Sequence, residues 1–307
     1  MEVSVVICTR NRPDLIGTAV ASVLANTYPR FDVLVVDQSD DGRTGEIVRR
    51  LMAGDARLRY HHTSIAGLSR AYNIGVRETS GQILAFTDDD CVAPPDWVAQ
   101  MVGAFAREPE VDLIYGQVLL PASLSETLAS GVGTVPTLAF ERPTRINRVE
   151  GFRLCGMGAN FGVRRRLFER LGGFDEIMGG GGPLKSSQDF DFQYRAYLAG
   201  ATVLLCPEVR VDHYGLRSNE EWPATLRAYG IGDGAFYWKH VRCGDVFAFS
   251  LLLRRLGRLV VREALNGIRR KPSHLVYLRS CLQGILESRR FAVDPQRRLY
   301  LAPSGAA

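Results

Sequence analysis

Three adjacent aspartates, Asp88, Asp89 and Asp90, close the apolar run in ILAFTDDDCV at residues 83–92. Carboxylates this close repel one another, and a strand backbone has no use for them, so the cluster marks a place for something positive. A helix cap before Pro94 would need one acid rather than three. Thr9 and Arg10 follow the apolar VSVVIC, and Asp37 closes FDVLVVD. Asp189 stands behind a glycine-rich stretch in GGGGPLKSSQDFDFQYR. Asp191, four residues before Arg195, is spaced for a helical salt bridge. His213 ends VRVDH alone, and His61, His62, His240 and His274 show no partner pattern.

The elements that must position these residues are legible as alternation. VSVVIC (3–8), FDVLVVD (31–37), LRYHH (58–62), QILAFTD (82–88) and VDLIYGQVLL (111–120) are strand-like runs. Between them lie helical patterns, the first from Pro13 to Asn26 with proline at a helix start. Continuous apolar strands alternating with helices predict an α/β fold, with a mostly parallel sheet and helices on both faces. Ligands of such sheets bind beyond the carboxyl ends of the strands. Thr9–Arg10, Asp37 and Asp88–Asp90 all fall there, so they are expected on one rim. The pattern weakens over 121–150, read as a loop or insertion. It returns at CGMGANFGVRRRLFERLGGFDE (155–176), and ATVLLCPEVRV (201–211) is a further strand.

The 307 residues are 46% hydrophobic and 23% charged, ordinary for a folded chain and unlike a disordered one. The net charge of +5 is unevenly spread. From Asp245 onward 12 Lys/Arg face 4 Asp/Glu, while the first 244 residues carry a small acidic excess. A local anionic partner is expected at the basic end. From Val246 to Arg269 the pattern reads as one helix. Phe249, Leu252, Leu256, Leu259 and Val260 share one side, and Arg254, Arg255, Arg258, Arg262 and Arg269 another. The apolar side suits docking on the rest of the chain; the basic side suits anionic lipid. Six scattered cysteines without a CxxC pair, and no secretory signal, favour a reduced cytoplasmic setting. No run reaches the ~20 apolar residues of a membrane span.

Five motifs in order, VSVVICTRNRPDLI, VLVVDQSDDGRT, AGLSRAYNIGVRETSGQILAFTDDDCVAPPDW, NFGVRRRLFERLGGFDE and SQDFDFQYRAYLAG, resemble a family 2 glycosyltransferase of the GT-A fold. The resemblance implies a catalytic domain over 1–215 and leaves 216–307 as a mainly helical, basic C-terminal extension. It implies a nucleotide-diphosphate sugar donor (UDP, dTDP or GDP), a sugar or lipid-linked acceptor, and Mn²⁺ or Mg²⁺ as cofactor. A divalent cation explains the carboxylates physically, because it takes oxygens from both protein and diphosphate. By the same resemblance Asp90 is the direct metal ligand, joined by His213. Asp88 and Asp89 stand near the ribose. Asp37, Thr9, Arg10, Arg70 and Asn73 hold the nucleotide, with Asp37 favouring a pyrimidine. Gly158, Asn160 and Phe161 form a wall of the acceptor site. Asp189 is the general base of an inverting transfer, although Gln188 replaces the family's usual glutamate beside it. Asp189 could instead cap the helix it begins, but Ser187 could do that as well, which frees the acid for chemistry. The setting implied is cytoplasmic, at the inner face of the plasma membrane, with no nucleic-acid partner.

Other classes fit less well. A sugar-nucleotide pyrophosphorylase needs a glycine-rich, basic loop after the first strand, and CTRNRPDLI has no such glycines. A Rossmann oxidoreductase needs GxGxxG there. A non-catalytic nucleotide-sugar-binding module would not need Asp189.

Overall fold

The computed structural model describes residues 1–268 and 275–302. Arg269 and His274 lie outside the described residues. The chain forms two compact units. The first comprises 1–66, 70–174 and 192–217; the second comprises 67–69, 175–191 and the residues from 218 onward.

The first unit is built on β1 (Val3–Thr9), α1 (Pro13–Leu24), β2 (Phe31–Asp37), α2 (Arg43–Met52), β3 (Leu58–His62), α3 (Leu68–Arg77), β4 (Ile83–Asp88), β5 (Cys91–Val92), α4 (Trp97–Arg107) and β6 (Val111–Leu119). There follow α5 (Ala122–Ala129), β7 (Gly133–Thr134), β8 (Thr144–Ile146), β9 (Asn160–Arg164), α6 (Arg165–Leu171), α7 (Gln188–Leu198, its first four residues in the second unit), β10 (Thr202–His213) and β11 (Arg217–Ser218). The sheet order is β3-β2-β1-β4-β9-β6-β10-β5, with β8 also on β10. Strands β1 to β4 run parallel, as do β6 and β10, while β9 lies antiparallel between β4 and β6. The expected mostly parallel α/β sheet is therefore present, with one reversed strand near its centre.

All seven residues of β1 are buried, the signature of a strand covered on both faces. Alternate side chains divide between the faces. Val5, Ile7, Val33, Val35 and Ala85 join Ile16 and Val20 of α1 and Trp97 and Met101 of α4 in one core. On the other face Phe86 stacks on Phe161 with centroids 4.4 Å apart, and Tyr72 of α3 meets Phe86 edge-on at 5.0 Å. Gly75 allows that approach: a Cβ there would collide with Val6.

The stretch 121–150, read as loop, contains α5 and β8. Helix α5 buries none of its residues, so it carries no apolar stripe for the sequence to reveal. Strand β8 has only three residues and pairs with β10.

The second unit contains α8 (Trp222–Arg242), α9 (Val246–Ile268), α10 (Leu275–Ser288) and the hairpin β12 (Ala292–Asp294) and β13 (Leu299–Leu301). Gly234 and Gly284 let α8 and α10 cross closely, since a Cβ at either would run into the partner helix's backbone, at Cys281 and Ile231 respectively. Buried polar groups join these helices to 175–191. Lys239 lies 2.6 Å from both Asp175 and Asp191, and all three side chains are inaccessible to solvent. Asp191 also meets His240 Nε2 at 3.0 Å. These partners sit far along the chain, where same-helix spacing does not point. The Ser187 hydroxyl donates to Asp233 at 2.8 Å. Asp233 in turn accepts from Tyr277 and Arg255. Among the described residues no helix is long and apolar enough to cross a membrane.

Candidate functional site

Strand register brings the rim together. Thr9 is paired with Asp37 across β1 and β2, Cys8 with Asp88 across β1 and β4, and Asp37 with His62 across β2 and β3. The carboxyl ends of three parallel strands thus present Thr9, Asp37 and Asp88 side by side, as the alternation predicted.

The aspartate cluster is held by named partners. Thr9 Oγ1 donates to Asp89 Oδ2 at 2.7 Å. One guanidinium nitrogen of Arg12 lies 2.8 Å from Asp89 Oδ1 and 2.8 Å from Asp90 Oδ2. His213 Nε2 stands 3.2 Å from Asp90 Oδ1, and Arg217 reaches Asp90 Oδ2 at 3.8 Å. The long strand β10 carries His213 to this position, and the antiparallel pairing of His213 with Cys91 fixes it there. His213 Nδ1 donates to the Pro136 carbonyl at 2.8 Å, which leaves Nε2 facing the carboxylate.

Charge follows from these contacts. Burial works to raise Asp90, but the hydrogen bond and charge of His213, with Arg12 and Arg217, bring it down to about 2. Burial first, then the charges of Asp90 and Asp89, push Asp88 up to about 7. Burial also raises Asp89, against the opposing charge of Arg12. For His213, burial disfavours the charged ring, but the bond to Asp90 outweighs it and its proton is held more tightly than usual. Side-chain cations therefore answer Asp89 and Asp90, while Asp88 is pushed toward its protonated form.

A divalent cation fits this donor set. Asp90, Cys91 and His213 present ligand atoms within 4.8 Å of one another. Burial, then Asp88 and Asp90, push the Cys91 thiol up, and its soft sulfur is in any case a poor match for a hard ion. Carboxylate oxygens remain, with one imidazole nitrogen that would give up its proton on binding, a set able to hold a divalent cation.

The other residues singled out above are placed as follows. Asp37 is fully buried; it accepts from Tyr60 OH at 2.8 Å and from the Ser39 amide at 2.8 Å. Arg10 is exposed beside Asp40. Arg70 is half-buried on α3. Asn73 holds the backbone of Phe174 with both ends of its amide, at 3.0 and 2.9 Å. Asn160 binds the Trp97 ring nitrogen at 2.9 Å and the carbonyls of Gln117 and Val209, all within the interior. Phe161 is buried against Phe86. Neither Asn160 nor Phe161 presents a side chain to solvent, so any wall they form is the backbone they fix. The Gly158 carbonyl faces Tyr72 OH at 3.4 Å. Asp189 belongs to the second unit, in the first turn of α7, where it accepts from the Phe190 amide at 2.9 Å.

Sequence reasoning named Arg10 and passed over Arg12 and Arg217. Arg12 stands two residues further along the same loop, and Asn11 between them adopts a left-handed conformation (φ 56°). That turn sends the two arginines different ways.

Residues 4–172 match the model of the family described as Glycosyl transferase family 2. The chain is 28% identical over 251 residues to the O-antigen biosynthesis protein RfbC of Myxococcus xanthus, covering 77% of this chain and 18% of that protein. It is 24% identical over 234 residues to the glucosyl-dolichyl phosphate glucuronosyltransferase of Haloferax volcanii, covering 72% of each. Among solved structures it resembles the mannosyltransferase PcManGT of Pyrobaculum calidifontis, in complex with GDP-Man and Mn²⁺. The TM-score is 0.63 at 20% identity, covering 93% of this chain and 87% of that one. TarS of S. aureus in complex with UDP-GlcNAc superposes with a TM-score of 0.56 at 19% identity, covering 76% and 66%.

Proposed function

From the premise that this chain belongs to glycosyl transferase family 2 and has its GT-A fold, we propose that it transfers a sugar from a nucleotide diphosphate to an acceptor hydroxyl with inversion. The observation that carries this reading is the rim itself: three parallel strand ends gather Thr9, Asp37 and Asp88–Asp90 beside Arg12 and His213. Mn²⁺ or Mg²⁺ would be held by Asp90 and His213, with Asp88 nearby. When bound, it supplies Lewis-acid stabilisation to the diphosphate of the donor. Thr9, Arg10, Asp37, Arg70, Asn73 and Asp89 bind or shape the nucleotide side. Gly158, Asn160 and Phe161 shape the acceptor side. Residues 1–215 form the catalytic part and 216–307 the extension.

Asp189 takes the acceptor's proton as its oxygen attacks the anomeric carbon. The bond from that carbon to the diphosphate oxygen breaks, and its electron pair leaves with the nucleoside diphosphate. Attack from the face opposite the leaving group turns an α-linked donor into a β-linked product in one displacement. A sugar hydroxyl is too weak a nucleophile to dispense with such a base. The donor is a UDP, dTDP or GDP sugar. The acceptor is a sugar or lipid-linked hydroxyl in the cytoplasm, at the inner face of the plasma membrane.

The test begins with a panel of sugar nucleotides, scored by thermal shift with and without Mn²⁺ to find the donor. Asp189→Asn keeps the side chain's shape and removes the base. Donor affinity should hold while turnover falls by ~10²-fold or more. Near-normal turnover in that variant, or a product that keeps the donor's anomeric configuration by NMR, overturns the mechanism.

A further inference from the structure

Helix α9 turns two faces in opposite directions, and they differ from those its sequence suggested. Ala248, Leu252 and Leu259 are buried, with Leu259 packed on Tyr277 and Cys281 of α10. Phe249 and Val260, which the sequence groups with them, are exposed. With Val246, Leu253 and Val261 they are between 45% and 79% accessible. At about 100° per residue these five project within one arc of roughly 120°. Arg254, Arg258 and Arg262 continue that arc along one edge, and all three are exposed. The acid of α9, Glu263, belongs to the inward side of the helix and is half-buried. On α10 a second apolar stripe, Leu282 and Leu286, is exposed near Arg279.

We propose that the outer face of α9 seats in the headgroup layer of an anionic bilayer, with Phe249, Leu253, Val260 and Val261 entering the acyl boundary and Arg254, Arg258 and Arg262 meeting lipid phosphates. An open apolar arc bordered by arginines is the pattern of a helix that lies in a membrane interface. A second copy of this chain answers the surface poorly. A two-fold interface sets the same patch against itself, and the arginines would face one another with no exposed acid of α9 to pair with. A lipid surface supplies both hydrocarbon and phosphate. The inference deepens the membrane-facing part of the proposed function and rests on it only for the reason to be there.

The experiment is co-sedimentation of the full chain with vesicles, without donor or acceptor, so its failure leaves the transfer reading standing. The vesicles are phosphatidylcholine alone, or phosphatidylcholine with phosphatidylglycerol. Three arginines near an anionic surface correspond to roughly a hundredfold gain in partition over neutral vesicles. Changing Arg254, Arg258 and Arg262 together to Gln should remove that preference, and Leu253→Asp with Val260→Asp should abolish binding to both. These positions are exposed, so the variants should fold, which circular dichroism checks. Equal partition onto neutral and anionic vesicles, no partition at all, or binding indifferent to both variants overturns the proposal. So does a dimer by analytical ultracentrifugation that Leu253→Asp dissolves.

Discussion

Arg12 delivers one guanidinium nitrogen to two carboxylates, and this single contact organises the acidic cluster. Asp89 and Asp90 are almost wholly buried while Arg12 is partly exposed. Removing its charge takes a charge-assisted hydrogen bond from each of two buried acids, leaving Asp89 with Thr9 and Asp90 with His213 and Arg217. Arg12→Gln should therefore lower apo stability by about 2 kcal/mol, after discount for its partial exposure. A divalent cation would answer the same oxygens, so Mn²⁺ should restore more stability to the variant than it adds to the wild type. Scanning fluorimetry with and without Mn²⁺ checks both parts; an unchanged apo melting point and an unchanged Mn²⁺ response would contradict them. The rim was legible in the sequence because three adjacent acids at a strand end exceed what a cap or turn needs. Arg12 was not, because an arginine in a loop gives no sign of its direction, and the turn at Asn11 decides it. Asn160 and Phe161 illustrate the opposite case: a motif marked their positions, but only packing shows that both side chains are turned inward.

At the scale of elements, the first turn of α7 is tied to α8 by buried charge. Asp191 meets Lys239 and His240, and Lys239 also meets Asp175. With Nε2 donating to Asp191, the Nδ1 of a neutral His240 faces Arg298 at 3.4 Å. Protonating that nitrogen would turn an N–H toward a guanidinium, and Arg298 itself pairs with Asp245. Burial first lowers His240, to about 4; Asp191 opposes the shift, and Lys239 and Arg298 reinforce it. The unfolded ring takes a proton below its ordinary value near 6.5, and the folded ring does not until about 4. Stability is thus complete above pH 6.5 and falls as the pH drops toward 4, by up to about 3 kcal/mol from this group. Urea midpoints across that window should fall more steeply for the wild type than for His240→Gln; parallel slopes would exclude the mechanism. Continuous apolar strands made most of the first unit legible. The buried Lys239 was not, since a lysine within WKHV reads as surface. The strand β8 and helix α5 were hidden by shortness and by the lack of a buried stripe.

Charge is segregated over the whole molecule, with the basic excess beyond Asp245 and a slight acidic excess before it. The two proposed ligand surfaces draw on different residues: Asp90 and His213 in the first unit, α9 in the second. They should fail separately. Asp90→Asn should lose the Mn²⁺-dependent thermal response to a sugar nucleotide and still sediment with anionic vesicles. Leu253→Asp should do the reverse. Salt distinguishes them further. Exposed arginines on a lipid surface act through a screening length of about 10 Å at 0.1 M salt and about 3 Å at 1 M. A buried carboxylate pair around a cation is screened far less. Vesicle binding should therefore collapse between these conditions, while the Mn²⁺-dependent response changes little. Fluorimetry and sedimentation run on the same samples read both. Joint loss in either variant, or a vesicle interaction indifferent to salt, would show that the two surfaces are not the independent ones described.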